Sequence, residues 1–492
     1  MIKVFSGNKY AIDILFVIAL GLLSWFFLSG LQAVPFHPDE STQLFMSADF
    51  NAVLTNPLQL TFHPNAKGDL KQHYRLIDAP LTRYILGFGR TIGGFPALRA
   101  DWDWSKTWDE NAQAGALPNE DLLYAGRVAV TLLLPLGLLF LYLTGKQVEG
   151  GMTGLWATLL LGLNALMLLH GRRAMAEGAL IFGVAFFLWS LFQGDRRPWL
   201  TGLAIAIAFN AKQSTLALLP VGLLAVAWLP GGASIDLRKI GVNIAEYLGV
   251  FILLTFALNP VFWNSPVQTI QIAIHERHDL LERQVADTQR LAPEKVLDSP
   301  RERLVAILAN LYATPPMFYE VGNYIEETQS AEVEYLKKPG HGLFRGLAGG
   351  GVMLFITLFG FAMSLLYLRA IGDAPREPPE GLPVRYADQK PLPEPVSGSE
   401  RYRETFGRSE NGSFQTFSTL RNPRDRKRRA IILLVIASAA QFSALLLAVP
   451  LPWQRYVIPL VPFAALWAGI GLANLISAVT AAFPALQKQG SH

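Results

Sequence analysis

The chain contains no cysteine and little charge: 16% of its 492 residues are charged and 51% are hydrophobic, where a soluble chain carries about 25% charged residues. The missing cysteine excludes disulfides, thiolate metal sites and cysteine nucleophiles, and leaves the compartment open. The scarcity of charge points to lipid as the solvent. No glycine-rich phosphate loop, H-E-x-x-H or G-x-S-x-G motif and no heptad pattern occurs, so intracellular nucleotide chemistry has no visible seat and no nucleotide cofactor is expected. Without an internal repeat, an inverted-repeat transporter gains no support. The net charge of +4 does not signal nucleic acid, because the basic residues stand at the ends of apolar runs and in one linker, not along one face.

What is present is a succession of apolar runs near the length of about 20 residues that a helix needs to cross a bilayer. They fall at 11–31, 122–144, 151–169, 174–194, 198–211, 213–229, 242–259, 346–369, 430–448 and 454–477. The first holds no lysine or arginine and one acid, Asp13; its length and the spans that follow make it a retained span, not a cleaved export signal. The 32 residues from Pro198 to Leu229 would make about 48 Å of helix, too long for one upright crossing and short for two. Basic residues decide. Two crossings put Lys3, Lys9, Lys146, Arg196, Arg197, Arg238, Lys239, the linker 370–429 and Lys488 on one side, the cytoplasmic one by the basic-inside bias. Asn210, Lys212 and Gln213 then form a polar break at the outer end, expected to face a cavity.

The expected fold is therefore all-α and integral to the membrane, with about ten transmembrane helices. Residues 1–369 make a transmembrane bundle with outer loops at 32–121 and 260–345, 370–429 a cytoplasmic linker rich in proline and arginine, and 430–492 two further helices and a short tail. The first loop holds seven basic and eleven acidic residues; Trp102, Trp104 and Trp108 are expected in interfacial helices at the headgroup layer. In the second, a helix is expected over Ile270–Arg290. The linker, with its many prolines, reads as extended.

Candidate chemistry gathers at the outer end. In His37-Pro38-Asp39-Glu40 two adjacent carboxylates follow the first span; they act either as a general base beside a cavity or as a helix start, with Asp39 capping. Asp78, two residues before Pro80, has the same two readings. His275 and His278, three apart on the loop helix, could join an acid around a divalent metal ion or be ordinary surface histidines. Arg127, Arg172, Arg173, Lys212 and Arg455 depart from the basic-inside rule, which either an anionic lipid phosphate or snorkelling with loop acids would explain. Glu177, one turn inside the fourth span, is the intramembrane acid placed to pair with them. Acids at a rim, cations for phosphate and no nucleotide motif suit a lipid-phosphate donor and an acceptor activated from outside.

In their order along the chain, Pro38-Asp39-Glu40, Asp78-Ala79-Pro80-Leu81, Ala125-Gly126-Arg127, Arg172 with Glu177, Asn210-Ala211-Lys212, Asn259-Pro260, and Arg455-Tyr456 with Pro459 and Pro462 resemble the membrane-embedded glycosyltransferases of the C-type (GT-C) fold, particularly bacterial relatives of protein O-mannosyltransferases and of the lipid A aminoarabinose transferase. The resemblance implies an inverting glycosyltransferase in the bacterial inner membrane. It would move a sugar from a polyprenyl-phosphate donor to a protein, lipid or glycan acceptor on the periplasmic or exterior face. It places the base at Asp39, with Glu40 and Glu177 as further catalytic acids. Phosphate contacts fall at Arg172, Lys212 and Arg455, with Arg127 and Arg173 beside them, and a metal ligand at Asp78 with His275 or His278. The chain departs from the pattern at Glu177, where Asp is common, and at Ala79, where lysine often precedes the loop proline. A soluble C-terminal domain, present in some members, is not expected. The competing readings are a transporter or flippase of lipid-linked sugars and a non-enzymatic membrane subunit; the former should show paired broken helices in two related halves.

Overall fold

The computed structural model describes residues 9–66, 68–228, 236–319, 322–372 and 423–489. Apart from its two ends, the linker expected to be extended over 370–429 lies outside the described residues, as does Lys3. Among the described residues every regular element is helical. The first apolar run forms α1 (Lys9–Ser29). The first loop then folds as α2 (Pro38–Met46), α3 (Ala48–Thr55), α4 (Leu70–Ile77), α5 (Leu81–Ile92) and α6 (Trp108–Ala114).

Local chemistry starts these short helices. His37 caps α2: its Nδ1 accepts from the Asp39 N–H at 3.1 Å, the Glu40 carboxylate accepts from the His37 N–H at 3.1 Å, and Pro38 takes the first helical position, where a missing N–H removes no bond. The sequence offered Asp39 itself as the cap. Because His37 fills that role, the Asp39 side chain turns to a partner elsewhere.

The bundle continues with α7 (Glu120–Thr131) and α8 (Leu133–Val148), which together form one span of 29 residues. It goes on through α9 (Gly151–Gly162), α10 (Ala165–His170), α11 (Ala176–Ser190), α12 (Pro198–Ala211), α13 (Leu219–Ala227) and α14 (Leu237–Leu258). The second loop holds α15 (Pro266–Leu291), α16 (Pro300–Leu308) and α17 (Ile325–Lys337). After it come α18 (Gly346–Gly372), α19 (Pro423–Ala448), a 3-10 segment (Gln454–Leu460) and α20 (Val461–Gln489). The helix expected over Ile270–Arg290 is α15.

Seven helices among the described residues are long and apolar enough to cross a bilayer, and Gly151–Gly162, Pro198–Ala211 and Gln213–Ala227 are shorter apolar helices. The chain is a multi-pass membrane protein. The difficult pair α12 and α13 runs out and back. Arg429 at the start of α19 bonds both Asp195, just before α12, and the Ala225 carbonyl near the end of α13, and Asn243 of α14 donates to the Val226 carbonyl at 3.0 Å. Lys212, between the two helices, therefore sits at the opposite end, with the large loops.

Burial orders the helices. In the most apolar window of α1, α14 and α18 only 17%, 11% and 17% of residues are buried, against 72% for the span beginning at α11 and 78% for that ending in α20. Apolar yet uncovered, the first three face lipid, while α11 and α20 form the core. Since lipid is as apolar as leucine, packing must hold the bundle, and small residues permit close approach. Between α18 and α20, a Cβ on Gly360 would strike the Trp467 carbonyl, and one on Gly471 the Ile356 carbonyl.

Two buried clamps fix the first loop to the bundle. Arg127 of α7 gives Nε to Glu40 Oε1 at 2.8 Å and Nη2 to Glu40 Oε2 at 2.7 Å, while its Nη1 donates to the Leu31 and Val34 carbonyls at 3.0 and 2.7 Å. Burial pushes the Glu40 carboxyl up, but Arg127 and the Ala174 N–H together hold it below the usual carboxylate range. Asp49 of α3 receives Arg75 Nε and Nη2 at 2.9 and 2.8 Å and Arg83 Nη1 at 3.3 Å, joining α3, α4 and α5. Of the tryptophans expected at the headgroup layer, Trp102 and Trp104 help join the two loops. Trp102 is buried beside Phe36, Trp108 and Tyr324, with its indole N–H on Asn323 at 3.0 Å, and Trp104 packs against Tyr324. A second aromatic loop supplies a drier partner than headgroups do.

Removing one partner of a buried, hydrogen-bonded ion pair costs about 3–5 kcal/mol, whereas replacing both by apolar groups of similar volume is often neutral. Arg127→Met is expected to lose stability in that range in thermal unfolding of the purified protein, and Arg127→Met with Glu40→Leu to recover most of it. The pair's contribution is complete above the ordinary carboxyl value of 4.5 and is lost as pH falls through the lower value in the fold. A single variant as stable as the parent would remove the clamp assignment.

Candidate functional site

Two ion pairs meet at the loop end of the bundle. Asp39, in the first turn of α2, is paired with Arg455 of the 3-10 segment before α20. Glu177, in the first turn of α11, accepts from Lys212 Nζ at 2.8 Å. Lys212 stands where α12 ends, with extended backbone (φ −158°, ψ 125°); this is the break anticipated from the sequence. Asn210 supports it, its side chain donating to the Ala206 carbonyl at 2.8 Å and accepting from Asn259 at 2.7 Å, and the Lys212 carbonyl at the break accepts from the Thr215 N–H and hydroxyl at 3.2 and 3.0 Å, so freed backbone is met inside the protein. The Arg455 charge also acts on Glu177, which makes the two pairs one charged group. Glu177 is 2% exposed and its Oε2 is buried with no hydrogen-bond partner among the described residues, whereas Lys212, Arg455 and Asp39 are 21%, 17% and 30% exposed.

The second loop holds Arg455 in place. The neighbouring Gln454 accepts from the Met317 N–H at 2.7 Å and donates to the Pro315 carbonyl at 3.0 Å, and Asn310 donates to the Pro452 carbonyl at 3.0 Å. The Arg455 guanidinium lies 5.3 Å from the centre of the Trp453 ring, which stacks on Tyr456. Buried and bonded, Gln454 gives the arginine a fixed root although its head remains partly open.

Two more acids lie within electrostatic range of Asp39. Burial, with the Asp39 charge adding to it, raises the Asp78 carboxyl against the opposing pull of Arg83 and Arg277. Burial also raises Asp101, which accepts from the Tyr74 hydroxyl at 2.5 Å. Sequence reasoning missed Asp101 and Tyr74. Nothing in the run Asp101-Trp102-Asp103-Trp104 sets the first acid apart from the second; both are partly buried, but Asp101 Oδ1 is closed off whereas the Asp103 side chain is 41% exposed.

The remaining cations are placed differently. Arg127 has four protein acceptors, as described above, and Arg173, 1% exposed, donates to the Pro35 and Phe318 carbonyls at 3.3 and 3.0 Å. Arg172 is fully buried; it bonds the Leu168 carbonyl, the Tyr335 hydroxyl at 3.2 Å and His341 Nε2 at 2.6 Å, and a Cβ on Gly30 would collide with it. Burial and the Arg172 charge push His341 down to about 4, so the neutral ring accepts from the guanidinium. These three arginines act as struts: a phosphate could reach them only by displacing the carboxylate, carbonyl and aromatic partners that enclose them, although Arg172 Nη1 is buried without a hydrogen-bond partner among the described residues. Glu40 likewise has both oxygens filled and serves as an anchor.

The metal expectation finds no fit. His275 and His278 are 76% and 65% exposed and pair with Asp279 at 3.5 Å and Glu282 at 3.0 Å, one turn on along α15. Their helix turns other residues toward the first loop, with Glu276 on His73 at 3.0 Å and Arg277 acting on Asp78. Among the described residues no three His, Asp or Glu side chains form a group that could hold a metal ion.

No family model matches the chain, and no curated protein does. Among solved structures it is similar to the oligosaccharyltransferase of Archaeoglobus fulgidus. The apo form is 14% identical, with a TM-score of 0.48, over 98% of this chain and 52% of that one. The complex with an inhibitory peptide and a dolichol-phosphate is 13% identical, with a TM-score of 0.47 and the same coverage. The complex with Zn and sulfate is 13% identical, with a TM-score of 0.48, over 96% and 51%. This chain spans about half the length of those proteins.

The unfavourable burial of the Asp78 carboxylate is absent at acid pH, where the group is protonated folded or unfolded, and sets in as pH rises through the ordinary value of 3.8. Asp78→Asn is therefore expected to leave thermal stability at neutral pH unchanged or raised. Asp49→Asn, which strands the buried Arg83 and the half-buried Arg75, should lower it by about 3 kcal/mol. Equal losses in unfolding curves of the two variants would show Asp78 to be a structural acid of the same kind.

Proposed function

We propose that the protein is an inverting glycosyltransferase of the C-type fold that moves a sugar from a polyprenyl-phosphate donor to an acceptor at the face bearing the two large loops. The observation that carries this reading is the joined pair of ion pairs, Asp39 with Arg455 and Glu177 with Lys212. It offers two partly open cations and one partly open carboxylate at one end of a membrane bundle.

In the proposed reaction Asp39 takes the proton from an acceptor hydroxyl or amine as that atom attacks the anomeric carbon. The bond from that carbon to the phosphate oxygen breaks, and its electron pair leaves on the phosphate. Arg455 and Lys212 meet the charge that develops there. A single displacement inverts the anomeric centre. Glu177 pairs with Lys212 before the donor arrives, while Glu40 and Arg127 hold the helix that carries the base. No step is assigned to a metal ion. By the basic-inside bias, the end bearing Lys146, Arg196, Arg197, Arg238 and Lys239 is cytoplasmic. The reaction face is then periplasmic or exterior, in a bacterial inner membrane. Protein, lipid and glycan are the acceptor classes.

Transfer of labelled sugar from a panel of polyprenyl-phosphate sugars to native membranes tests the proposal. Removing a general base typically costs about 10²–10⁴-fold in rate. Asp39→Asn is expected to lose transfer in that range while still binding polyprenyl phosphate, and Arg455→Gln to bind it more weakly. Undiminished transfer by Asp39→Asn would overturn the assignment of the base.

A further inference from the structure

The two cations proposed to receive the donor phosphate are the partners of the two carboxylates at the site. Arg455 cannot present its guanidinium fully to a phosphate while Asp39 holds it, and Asp39 cannot serve freely as a base while paired. Resting on the proposed function, we infer that the site masks itself: the donor phosphate exchanges for Asp39 on Arg455 and for Glu177 on Lys212, so that the base is released when the donor is bound.

The two pairs are built for such an exchange, and the struts are not. Arg127 spreads its donors over four acceptors at 3% exposure, and Arg172 is enclosed by Tyr335, His341 and Phe26. Arg455 and Lys212 keep 17% and 21% of their side chains open, and the segment around each is fixed independently, by Gln454 in one case and by Asn210 in the other. Loss of the carboxylate therefore leaves the cation in position. A phosphate monoester carries at least the charge of a carboxylate and has more acceptor oxygens, which suits two cations at once. Glu177 Oε2, buried and without a hydrogen-bond partner among the described residues, shows that the second pair already falls short of full satisfaction.

The exchange has a chemical consequence. Separated from Arg455, the Asp39 carboxylate is no longer engaged by that guanidinium and its oxygens turn to the acceptor. A base released only when the donor phosphate is seated favours ordered binding, donor before acceptor.

The test is the affinity of the full-length protein for a polyprenyl phosphate without sugar, followed by tryptophan fluorescence, since Trp453 lies beside Arg455. Removing a competing carboxylate should tighten binding, by up to about fivefold if each pair is worth what partly exposed ion pairs usually are. Asp39→Asn and Glu177→Gln are each expected to tighten it, and Arg455→Gln to weaken it. Weakening by Arg455→Gln without tightening by either carboxylate variant would overturn the exchange and leave the proposed function standing. Unchanged affinity in all three, with thermal unfolding confirming that they fold, would remove the phosphate from this site and with it the functional reading. Two independent carboxylate variants guard against the misfolding of one.

Discussion

A guanidinium withdrawn from water must find acceptors in the protein, and that demand organises the loop end of this molecule. Arg127, Arg75, Arg83, Arg172 and Arg173 each bind a carboxylate, carbonyls or an aromatic neighbour supplied by a different element. Each contact thereby fastens a loop to a helix or one loop to another. Lipid gives the bundle no hydrophobic incentive to hold loops against its end. Ion pairs and carbonyl bonds, strong where water is scarce, take over that task.

Enclosure divides the cations into two kinds. An arginine shut in by its partners is rigid and chemically silent, because any new anion must first displace them. Arg455 and Lys212 are each paired with a carboxylate and keep some opening to solvent. They are rooted by neighbouring residues, not by their own head groups. Such a cation can change partners without unfolding anything, which is the property a transient phosphate requires.

Hydropathy made the helices legible, and charge made legible which end of each belonged together. The break at Lys212, the out-and-back course of α12 and α13 and the loop helix α15 all follow from those two signals. Partner identity did not. Arg127 and Arg455 look alike in sequence, each an arginine at the border of an apolar run, and only the return of Glu40 to one and Asp39 to the other separates a strut from a candidate ligand. The same blindness paired His275 and His278 with Asp78, since residues three apart share a helix face but the sequence does not say what that face meets. It also sent Trp102 to the headgroups, where the second loop offered a closer aromatic surface. Asp101 could not have been chosen over Asp103 without knowing that Tyr74 reaches it.

Two departures from the sequence pattern of the resembling family acquire a physical sense together. Ala79 stands where a lysine would bring a cation from the first loop, so under the proposed function positive charge must come from the bundle and from the far end of the chain, at Lys212 and Arg455. Glu177, one methylene longer than Asp, spans the distance from the start of α11 to Lys212 at 2.8 Å. Arg455 in turn depends on Gln454, whose partners Pro315 and Met317 belong to the second loop. A site that takes its acid from the first loop and its arginine from a segment rooted in the second is complete only when both loops are docked. The Trp102, Asn323 and Tyr324 contact between those loops therefore lies on the same chain of dependence as the charged group itself.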